Sequence, residues 1–561
     1  MSKLAGDDEE SLVALVMRMA VDGMTCDSCN VHVADALRSA GAVSASADWR
    51  RGKASFTADE TTDLDQLAES VRDSGYTPGR VAPLAAVGEQ SAAAGIGRDY
   101  DLAIVGSGSA AFAAAIRARD LGARVVMVER STIGGTCVNV GCVPSKALLR
   151  AAETIHDAGH HPFAGVDTSA HAVDLRMLVA QKDELVTGLR KEKYEDLVGE
   201  YGIDLVRGVA RFADERTLNV DGQPLQAGAY IIAAGASAAV PPIPGLAEAG
   251  YLKSADALDL HQVPGSVAVI GANAIGLELG QFFLHVGSQV MFFDVLDRIA
   301  PFEELEISAA LSDVLREQGA QIHAPARITR VELDGDRRVV VADVDGDERR
   351  FVVDQILVAT GRRPNTADLN TEAAGIALDD NGAIVVNETL RTHNPIVFAA
   401  GDVTSAPQLV YVAAHQGALA AENALPGRTR RTDLAVLPRV TFTSPQIAAV
   451  GLTEDRAREV GHAVRTSVLP LTAVPRALVN HDTRGVIKIV ADEATDKVLG
   501  VHMLADGAGD VIQAAVYAIK FGLTVTDLAE SWSPYLTMAE GLKLAAQGFT
   551  RDVSKLSCCA A

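Results

Sequence analysis

Between Tyr100 and Glu129 the chain sets out a complete unit. An apolar run, Tyr100 to Val105, leads into Gly106-Ser107-Gly108-Ser109-Ala110-Ala111, then a helix-forming stretch to Leu121 and a stop at Gly122. A second apolar run, Val125 to Val128, ends in an acid, Glu129. No other feature limits the fold so tightly. Gly106, Gly108 and the small Ala111 let the backbone turn sharply and bring a pyrophosphate to a helix N-terminus. An acid about 20 residues further on suits a ribose hydroxyl. The strand–turn–helix–strand setting separates this from a chance GxGxxA and predicts a dinucleotide-binding βαβ unit. The pattern recurs. Ser266 to Ile270 reads as a strand, Gly271-Ala272-Asn273-Ala274-Ile275-Gly276 as the turn and Leu277 to His285 as the helix. Gln289 to Phe293 is the following strand and ends at Asp294. Gly271, Asn273 and Gly276 take the turn positions, and two such units imply two dinucleotides.

A dithiol stretch lies between the units: Gly134-Gly135-Thr136-Cys137-Val138-Asn139-Val140-Gly141-Cys142-Val143-Pro144-Ser145-Lys146. Pro144 suits the first helical position, where its missing N–H costs nothing, and Ser145 to Ala152 is rich in helix formers. Cys142 then lies at the positive end of a helix, which stabilises a thiolate and lowers its pKa. Residues five apart on a regular helix face different sides, so a bond between the two sulfurs needs an irregular turn, which Gly141 can supply. Two buried structural thiols are the bland alternative. So much glycine, beside two dinucleotide units, favours a redox pair: electrons can pass from a nicotinamide to a flavin to sulfur.

Composition narrows the class. A chain of 561 residues with 48% hydrophobic content can bury several cores, since single cores rarely exceed roughly 250–300 residues. The net charge of −23 argues against nucleic acid or an anionic membrane surface as partner. No apolar run reaches the ~18 residues of a membrane span. Met1 to Glu10 is acidic and lacks the basic start and apolar core of a secretory signal, which predicts a cytoplasmic protein. The six cysteines fall as Cys26/Cys29, Cys137/Cys142 and Cys558/Cys559. Close pairs in a large chain point to metal binding or redox chemistry, not to a secreted disulfide framework.

Residues 11–80 form a small α+β module. Leu12 to Val21 reads as a strand, Val31 to Ala40 as a helix, Val43 to Trp49 and Lys53 to Thr57 as strands, and Leu64 to Ser74 as a second helix. After the first strand comes Gly23-Met24-Thr25-Cys26-Asp27-Ser28-Cys29. Two thiolates on a short loop suit a soft metal ion. One CxxC alone is equally open to a thioredoxin-type or half-zinc reading. The whole module resembles the heavy-metal-associated domain, which implies a ferredoxin-like βαββαβ fold with Cys26 and Cys29 as ligands. Residues 81–98 are rich in Ala, Gly and Ser and read as a tether.

From Tyr100 onward the chain resembles the FAD-dependent pyridine nucleotide–disulfide oxidoreductases. The dithiol stretch, both fingerprints, Ala359-Thr360-Gly361 and Ala399-Ala400-Gly401-Asp402 match in order and spacing. The resemblance implies an α/β fold with two Rossmann-like domains and an α+β dimerisation domain. The expected segments are 99–245 and 366–435 for FAD, 246–365 for NAD(P) and 436–561 for dimerisation. It also implies that Cys142 is the thiol beside the flavin and Cys137 the outer, interchange thiol. Lys146 and Glu278 match an ion pair at the flavin, Asp402 the residue that holds the ribityl chain, and Gly135, Thr136 and Gly361 further cofactor contacts.

Three features resemble the mercuric ion reductases within that family. The chain carries Cys558-Cys559, and adjacent cysteines serve better as two free thiolates for a soft cation than as a strained ring. The disulfide reductases carry a His-Pro-x-x-x-Glu base; the aligned stretch here is Ser533-Pro534-Tyr535-Leu536-Thr537-Met538, so both acid–base residues are replaced. Reducing a bound metal ion needs no such base. The N-terminal module, third, would capture the same ion. Tyr194 and Tyr535 match tyrosines of that site, where Tyr194 gates the nicotinamide and Tyr535 lines the metal path, with simple packing as the alternative for either. The activity implied is NAD(P)H-dependent reduction of Hg(II) to Hg(0) through FAD and Cys137/Cys142. Hg(II) arrives as thiol complexes and is handed on by Cys558 and Cys559 of the other subunit of a homodimer. Asp294 would hydrogen-bond a free 2′-hydroxyl and repel a 2′-phosphate, which suggests NADH, while NADPH is the family habit and Arg298 is close by. The rivals are a dihydrolipoamide dehydrogenase-like disulfide reductase and a soft-metal-sequestering protein.

Overall fold

Strand pairing in the N-terminal unit follows its hydrophobic alternation. In the computed structural model, which describes residues 15–24, 27–49, 52–58, 62–83, 100–171, 173–427 and 429–555, the chain divides into the units 1–96 and 97–561. The first holds β1 (Leu15–Asp22), α1 (Asp27–Ser39), β2 (Ser44–Asp48), β3 (Lys53–Ala58), α2 (Leu64–Asp73) and β4 (Thr77–Pro83). The sheet order is β2-β3-β1-β4, antiparallel throughout, which is the ferredoxin-like arrangement. Met19, Val21 and Phe56 from the strands meet Val33, Leu37, Leu67 and Val71 from the helices in its core. Asp63 caps α2 by accepting from the N–H groups of Asp65 and Gln66. Helix α1 starts at Asp27, not at the expected Val31, so Cys29 belongs to its first turn and is buried. Asp and Ser, the residue types at the new start, are those favoured at helix N-termini. Cys26, Cys558 and Cys559 lie outside the described residues.

The second unit opens with β5 (Tyr100–Val105), α3 (Ser109–Asp120) and β6 (Val125–Glu129). Then come α4 (Gly135–Val140), α5 (Cys142–His160) and α6 (Leu175–Arg190). Strands β7 (Asp204–Arg207), β8 (Ala210–Phe212), β9 (Thr217–Val220) and β10 (Gln223–Ile232) complete a sheet of order β7-β6-β5-β10-β9-β8. Parallel pairs run β7-β6-β5-β10. Leu102, Ile104, Val126 and Met127 are fully buried, as expected for strands covered on both faces.

A short antiparallel pair, β11 (Ala236–Ala238) with β19 (Arg362–Pro364), brackets the second nucleotide unit. Within it, β12 (Ser266–Ile270), α7 (Ala274–His285) and β13 (Gln289–Phe293) repeat the first motif. Helix α8 (Leu305–Glu317) leads to β14 (Gln321–His323), and β18 (Gln355–Val358) closes the parallel sheet β14-β13-β12-β18. Between β14 and β18, an antiparallel sheet is built from β15 (Ala326–Asp334), β16 (Arg337–Val344) and β17 (Asp347–Val353). The chain then returns to the first sheet, where β20 (Val397–Ala399) pairs with β10 in parallel and α9 (Val410–Ala424) packs on α3.

The C-terminal part is an antiparallel sheet, β21-β22-β25-β24-β23, formed by β21 (Arg439–Thr441), β22 (Gln446–Gly451), β23 (Val464–Pro470), β24 (Val486–Asp492) and β25 (Val498–Ala505). Helices α10 (Ala508–Lys520) and α11 (Glu540–Gln547) share its core with Ile487, Ile489 and Val501. Met538 is buried in that same core. No described helix is long and apolar enough to cross a membrane.

Both fingerprint turns need glycine for one geometric reason. A Cβ on Gly106, at φ +110°, would sit 2.4 Å from the Ala233 carbonyl oxygen; on Gly271, at φ +98°, one would sit 2.5 Å from that of Ala359. The two nucleotide units thus repeat the same approach of the turn to a neighbouring strand.

Candidate active site

The dithiol is shaped by a break between two helices. Gly141, at φ −129° and ψ −116°, ends α4 and precedes α5, so Cys137 sits on one helix and Cys142 is the first residue of the next. The helix begins at Cys142 and not at Pro144; the proline is accommodated because first-turn N–H groups lack helical partners anyway. Cys137 donates its S–H to the Cys142 sulfur. That bond is the main cause pulling the Cys142 thiol down to about 7, with Lys146 assisting against burial. The same contact, and then burial, push Cys137 strongly upward. One proton is therefore shared by the pair and resides on Cys137, leaving the thiolate on Cys142.

Asn139, between the two cysteines, fixes the loop. Its amide donates to the carbonyls of Ile133 and Gly135, each at 2.9 Å, and its oxygen accepts from Arg190 at 3.0 Å. Gly135 presses on the first fingerprint turn, where a Cβ would stand 2.6 Å from the Gly108 Cα. The dithiol loop and that turn are thereby locked together.

Cys137 and Cys142 line a cavity of about 290 Å³ together with Gly108, Thr136, Lys146 and Glu278. Asp402 and Arg362 line it too. Lys146, one turn beyond Cys142, pairs with Glu278 of α7 at 2.6 Å. The other Glu278 oxygen accepts the Phe442 N–H at 2.9 Å, and the Lys146 ammonium lies 4.5 Å from the centre of the Phe442 ring. Burial raises the Asp402 carboxyl, and the Arg362 guanidinium 3.7 Å away opposes it. Gln416, buried on α9, accepts from the Gly401 N–H at 2.9 Å and steadies that turn.

The remaining nucleotide residues do not line this cavity. Ala111, in the first turn of α3, is fully buried. Glu129 accepts from the Ser107 hydroxyl at 2.6 Å and the Ser131 N–H at 2.7 Å. Its oxygens keep further lone pairs for a ribose. Asn273 is the N-cap of α7, and a Cβ on Gly276 would meet the Gly271 carbonyl. Asp294 accepts from the N–H groups of Ala272 at 2.7 Å and Leu296 at 3.0 Å. Arg298 does not reach it; its guanidinium donates to the carbonyls of Pro301 and Glu303. Gly361 takes φ +106° just before Arg362, and its carbonyl accepts from Ala239.

Tyr194 stands on a π-helical turn, Lys191–Glu195, a distortion often found at functional sites. Burial raises its hydroxyl pKa, and a hydrogen bond with Ser109 opposes it. Its ring meets Phe112 edge-on at 4.9 Å and lines a separate, mostly apolar cleft with Tyr411 and Lys193. Tyr535 is 49% exposed and is not part of either lining. Arg362, Asn139, Arg190 and Phe442 escape sequence reasoning. Only Arg362, directly after Ala359-Thr360-Gly361, carries a signal that could have been followed.

An FAD and a nicotinamide dinucleotide fit what is present. The Gly135–Gly108 cradle leaves no room for side chains where a pyrophosphate approaches, the Arg362 Nε is buried with no hydrogen-bond partner and only the Asp402 carboxylate near it at 3.7 Å, and the second fingerprint contributes Ala274, Ile275 and Glu278 to the same cavity.

Residues 100–417 match the pyridine nucleotide-disulphide oxidoreductase family, residues 437–546 its dimerisation domain and residues 18–77 the heavy-metal-associated domain. The mercuric reductase of Bacillus cereus is 50% identical over 97% of this chain and 87% of its own. That of Staphylococcus aureus is 50% identical over 97% and 99%, and that of Shigella flexneri 41% over 97% and 99%. A solved copper(II) complex of the HOCl-induced flavoprotein disulfide reductase RclA from Escherichia coli superposes with a TM-score of 0.72 at 29% identity, covering 81% of this chain and all of that one. With the dithiol, both nucleotide units and the metal-binding module in place, the chain belongs to the mercuric reductases of the pyridine nucleotide-disulphide oxidoreductase family.

Proposed function

We propose that this protein catalyses NAD(P)H + Hg(II) → NAD(P)⁺ + H⁺ + Hg(0), acting as a cytoplasmic homodimer in mercury detoxification. The observation that carries the reading is the Cys137–Cys142 pair with its single shared proton, beside Lys146–Glu278, in a chain that has Ser533 and Met538 where a disulfide reductase keeps its base. When bound, FAD supplies the two-electron relay between nicotinamide and this site. Gly106, Gly108, Gly135, Thr136, Glu129, Gly361 and Asp402 hold that cofactor. Cys142 offers a thiolate at neutral pH, and Cys137 gives up its proton as the pair closes on Hg(II), so the ion is held by two sulfurs. Soft thiolates suit this soft ion. Cys26 and Cys29 gather it from thiol complexes, Cys558 and Cys559 of the partner pass it on, Tyr194 gates the nicotinamide side, and Tyr535 lines the entry path across the dimer.

Purified flavoprotein with excess thiol is expected to oxidise nicotinamide only when Hg(II) is added, with volatile mercury released in equal amount. Oxidation driven by lipoamide or glutathione disulfide, with none driven by Hg(II), would return the chain to the disulfide reductases.

The nicotinamide donor is NADH. Asp294 directly follows β13 and Asp297 comes three residues later, while the Arg298 guanidinium donates to the Pro301 and Glu303 carbonyls and lies 3.8 Å from Asp297. A 2′-phosphate would meet the acidic side chains of Asp294 and Asp297, with the Arg298 NH2 group turned toward the Pro301 and Glu303 carbonyls. The expected kcat/KM favours NADH by about tenfold or more, the cost of roughly 1.4 kcal/mol of repulsion. Asp294→Asn is expected to narrow the ratio. A wild-type preference for NADPH would refute the assignment.

A further inference from the structure

We propose that Gln281 is a positioning residue for hydride transfer, holding the second nucleotide unit in place by gripping both backbone groups of Ser444. Helix α7 starts at Ala274, and its first turns put Ala274, Ile275, Glu278 and Leu279 into the wall of the dithiol cavity. Val440 of β21 lines the same cavity, so the junction between α7 and the residues around β21 belongs to the site itself. Two side chains of α7 bond across that junction, three positions apart and therefore on one face of the helix. Glu278 accepts from the Phe442 N–H at 2.9 Å. Gln281 accepts from the Ser444 N–H at 2.7 Å and donates to the Ser444 carbonyl at 2.9 Å.

The two contacts differ in what they fix. Glu278 makes one bond to the segment and spends its other oxygen on Lys146, and a single bond leaves a pivot. Gln281 holds one residue by both N–H and carbonyl, as a paired strand does, and so sets direction as well as distance. It is 2% exposed, so water does not compete at its amide. The second Nε2 hydrogen goes to the Gln318 oxygen at 2.9 Å. Gln318 is the C-cap of α8, so that bond stays inside the nucleotide unit. The segment that Gln281 grips is in turn seated on the first unit: Tyr411 of α9 donates to the Pro438 carbonyl, and the Phe442 ring centre lies 4.5 Å from the Lys146 ammonium. Residues 438–444 thus register the two nucleotide units against each other. Hydride donor and acceptor must meet at roughly 3–3.5 Å, so a small pivot of α7 is felt in the rate.

Because this role presupposes a nicotinamide on the second unit, the wild-type holoenzyme is read first, by anaerobic stopped-flow reduction of its flavin with NADH or NADPH and no mercury. A flavin that neither donor reduces refutes that reading and this role with it. Gln281→Met keeps length and bulk and loses the three bonds. Its limiting rate of flavin reduction is expected to fall about three- to tenfold, with the half-saturating donor concentration within about twofold of wild type, since alignment is lost and not affinity. Reduction by dithionite, which needs no nicotinamide site, is expected to be unchanged. Hydrogen–deuterium exchange of the holoenzyme without donor is expected to quicken in the peptide carrying Phe442 to Ser444. Gln318→Met, which removes the bond that stays inside the unit, is expected to keep the wild-type limiting rate. An unchanged limiting rate in Gln281→Met overturns the proposal. A slower rate without quicker exchange at Phe442 to Ser444 overturns it too, because the Ser444 grip is then not what was lost. An equal fall with dithionite, or in Gln318→Met, does the same, since general loosening accounts for either. If Gln281→Met does not retain FAD, Gln281→Glu takes its place: it still accepts from the Ser444 N–H but cannot donate to the carbonyl, and a wild-type limiting rate there overturns the proposal.

Discussion

Cys142→Ala is expected to reduce Hg(II)-dependent NAD(P)H oxidation by about a thousandfold or more, the scale seen when one member of a cooperating catalytic group is removed. Closing the pair on the ion releases the Cys137 proton, while Cys142, with its pKa lowered to about 7, is already thiolate in about half of the molecules at neutral pH. Without Cys142 the remaining sulfur is a half-buried thiol, its burial still holding its pKa up. The ion then has one reluctant ligand where it had two. Cys137→Ala should differ in a measurable way. It deletes the hydrogen bond that is the first cause of the low Cys142 pKa, so the midpoint of Cys142 alkylation should climb from about 7 toward the ordinary thiol range. Thiolate is present above the midpoint and lost as pH falls through it; in this variant the loss therefore begins at higher pH. Turnover above a tenth of wild type in Cys142→Ala, or an unmoved midpoint in Cys137→Ala, would sink the shared-proton description.

The local part of this site is legible in sequence, and the tertiary part is not. Glycine turns, the acid after each second strand and the cysteine spacing are rules about neighbours along the chain, and Gly106, Glu129, Gly271 and Asp294 follow them. Cys142 heading a helix was readable from the glycine–proline stretch, although the helix begins at the cysteine itself. The Lys146–Glu278 pair spans 132 positions. No periodicity joins those residues, and only the family resemblance put them together. Arg362 against Asp402, Arg190 against Asn139, and Phe442 over Lys146 lacked even that help. Each is set by how separate sheets and helices meet, and side-chain direction at such meetings is decided by packing. Tyr535 shows the other limit: it is 49% exposed and lines neither of the two cavities, so its place in this chain carries no sign of the role expected for it.

Lys488→Met is expected to cost about 3–5 kcal/mol of stability, the usual result of leaving a buried charge cluster without its counter-ion. Lys488 lies on β24 in the C-terminal sheet and is 2% exposed. Its ammonium reaches Glu454 at 2.7 Å, Glu304 at 2.9 Å and Glu306 at 3.0 Å. Glu304 and Glu306 stand at the start of α8, in the second nucleotide unit, so one cation ties that unit to the C-terminal sheet. Burial works against the Lys488 charge, but the carboxylates outweigh it and raise its pKa. Buried His502, 3.8 Å from Glu304, is kept neutral chiefly by its own burial and supplies no replacement cation. Glu454 is held below the ordinary carboxylate range first by its Lys488 hydrogen bond. That contribution is therefore in place above the ordinary range and fades as pH falls through the lowered value, a loss the variant should not show. Urea denaturation of the flavoprotein, followed by tryptophan and flavin fluorescence, measures the cost. Adding Glu304→Gln to Lys488→Met should return part of it, since the most buried of the three stranded carboxylates is then neutral. A loss below about 1 kcal/mol, the scale of exposed ion pairs, would mean that water reaches the cluster and that the other contacts between the two parts, such as the Glu278–Phe442 hydrogen bond, hold them together.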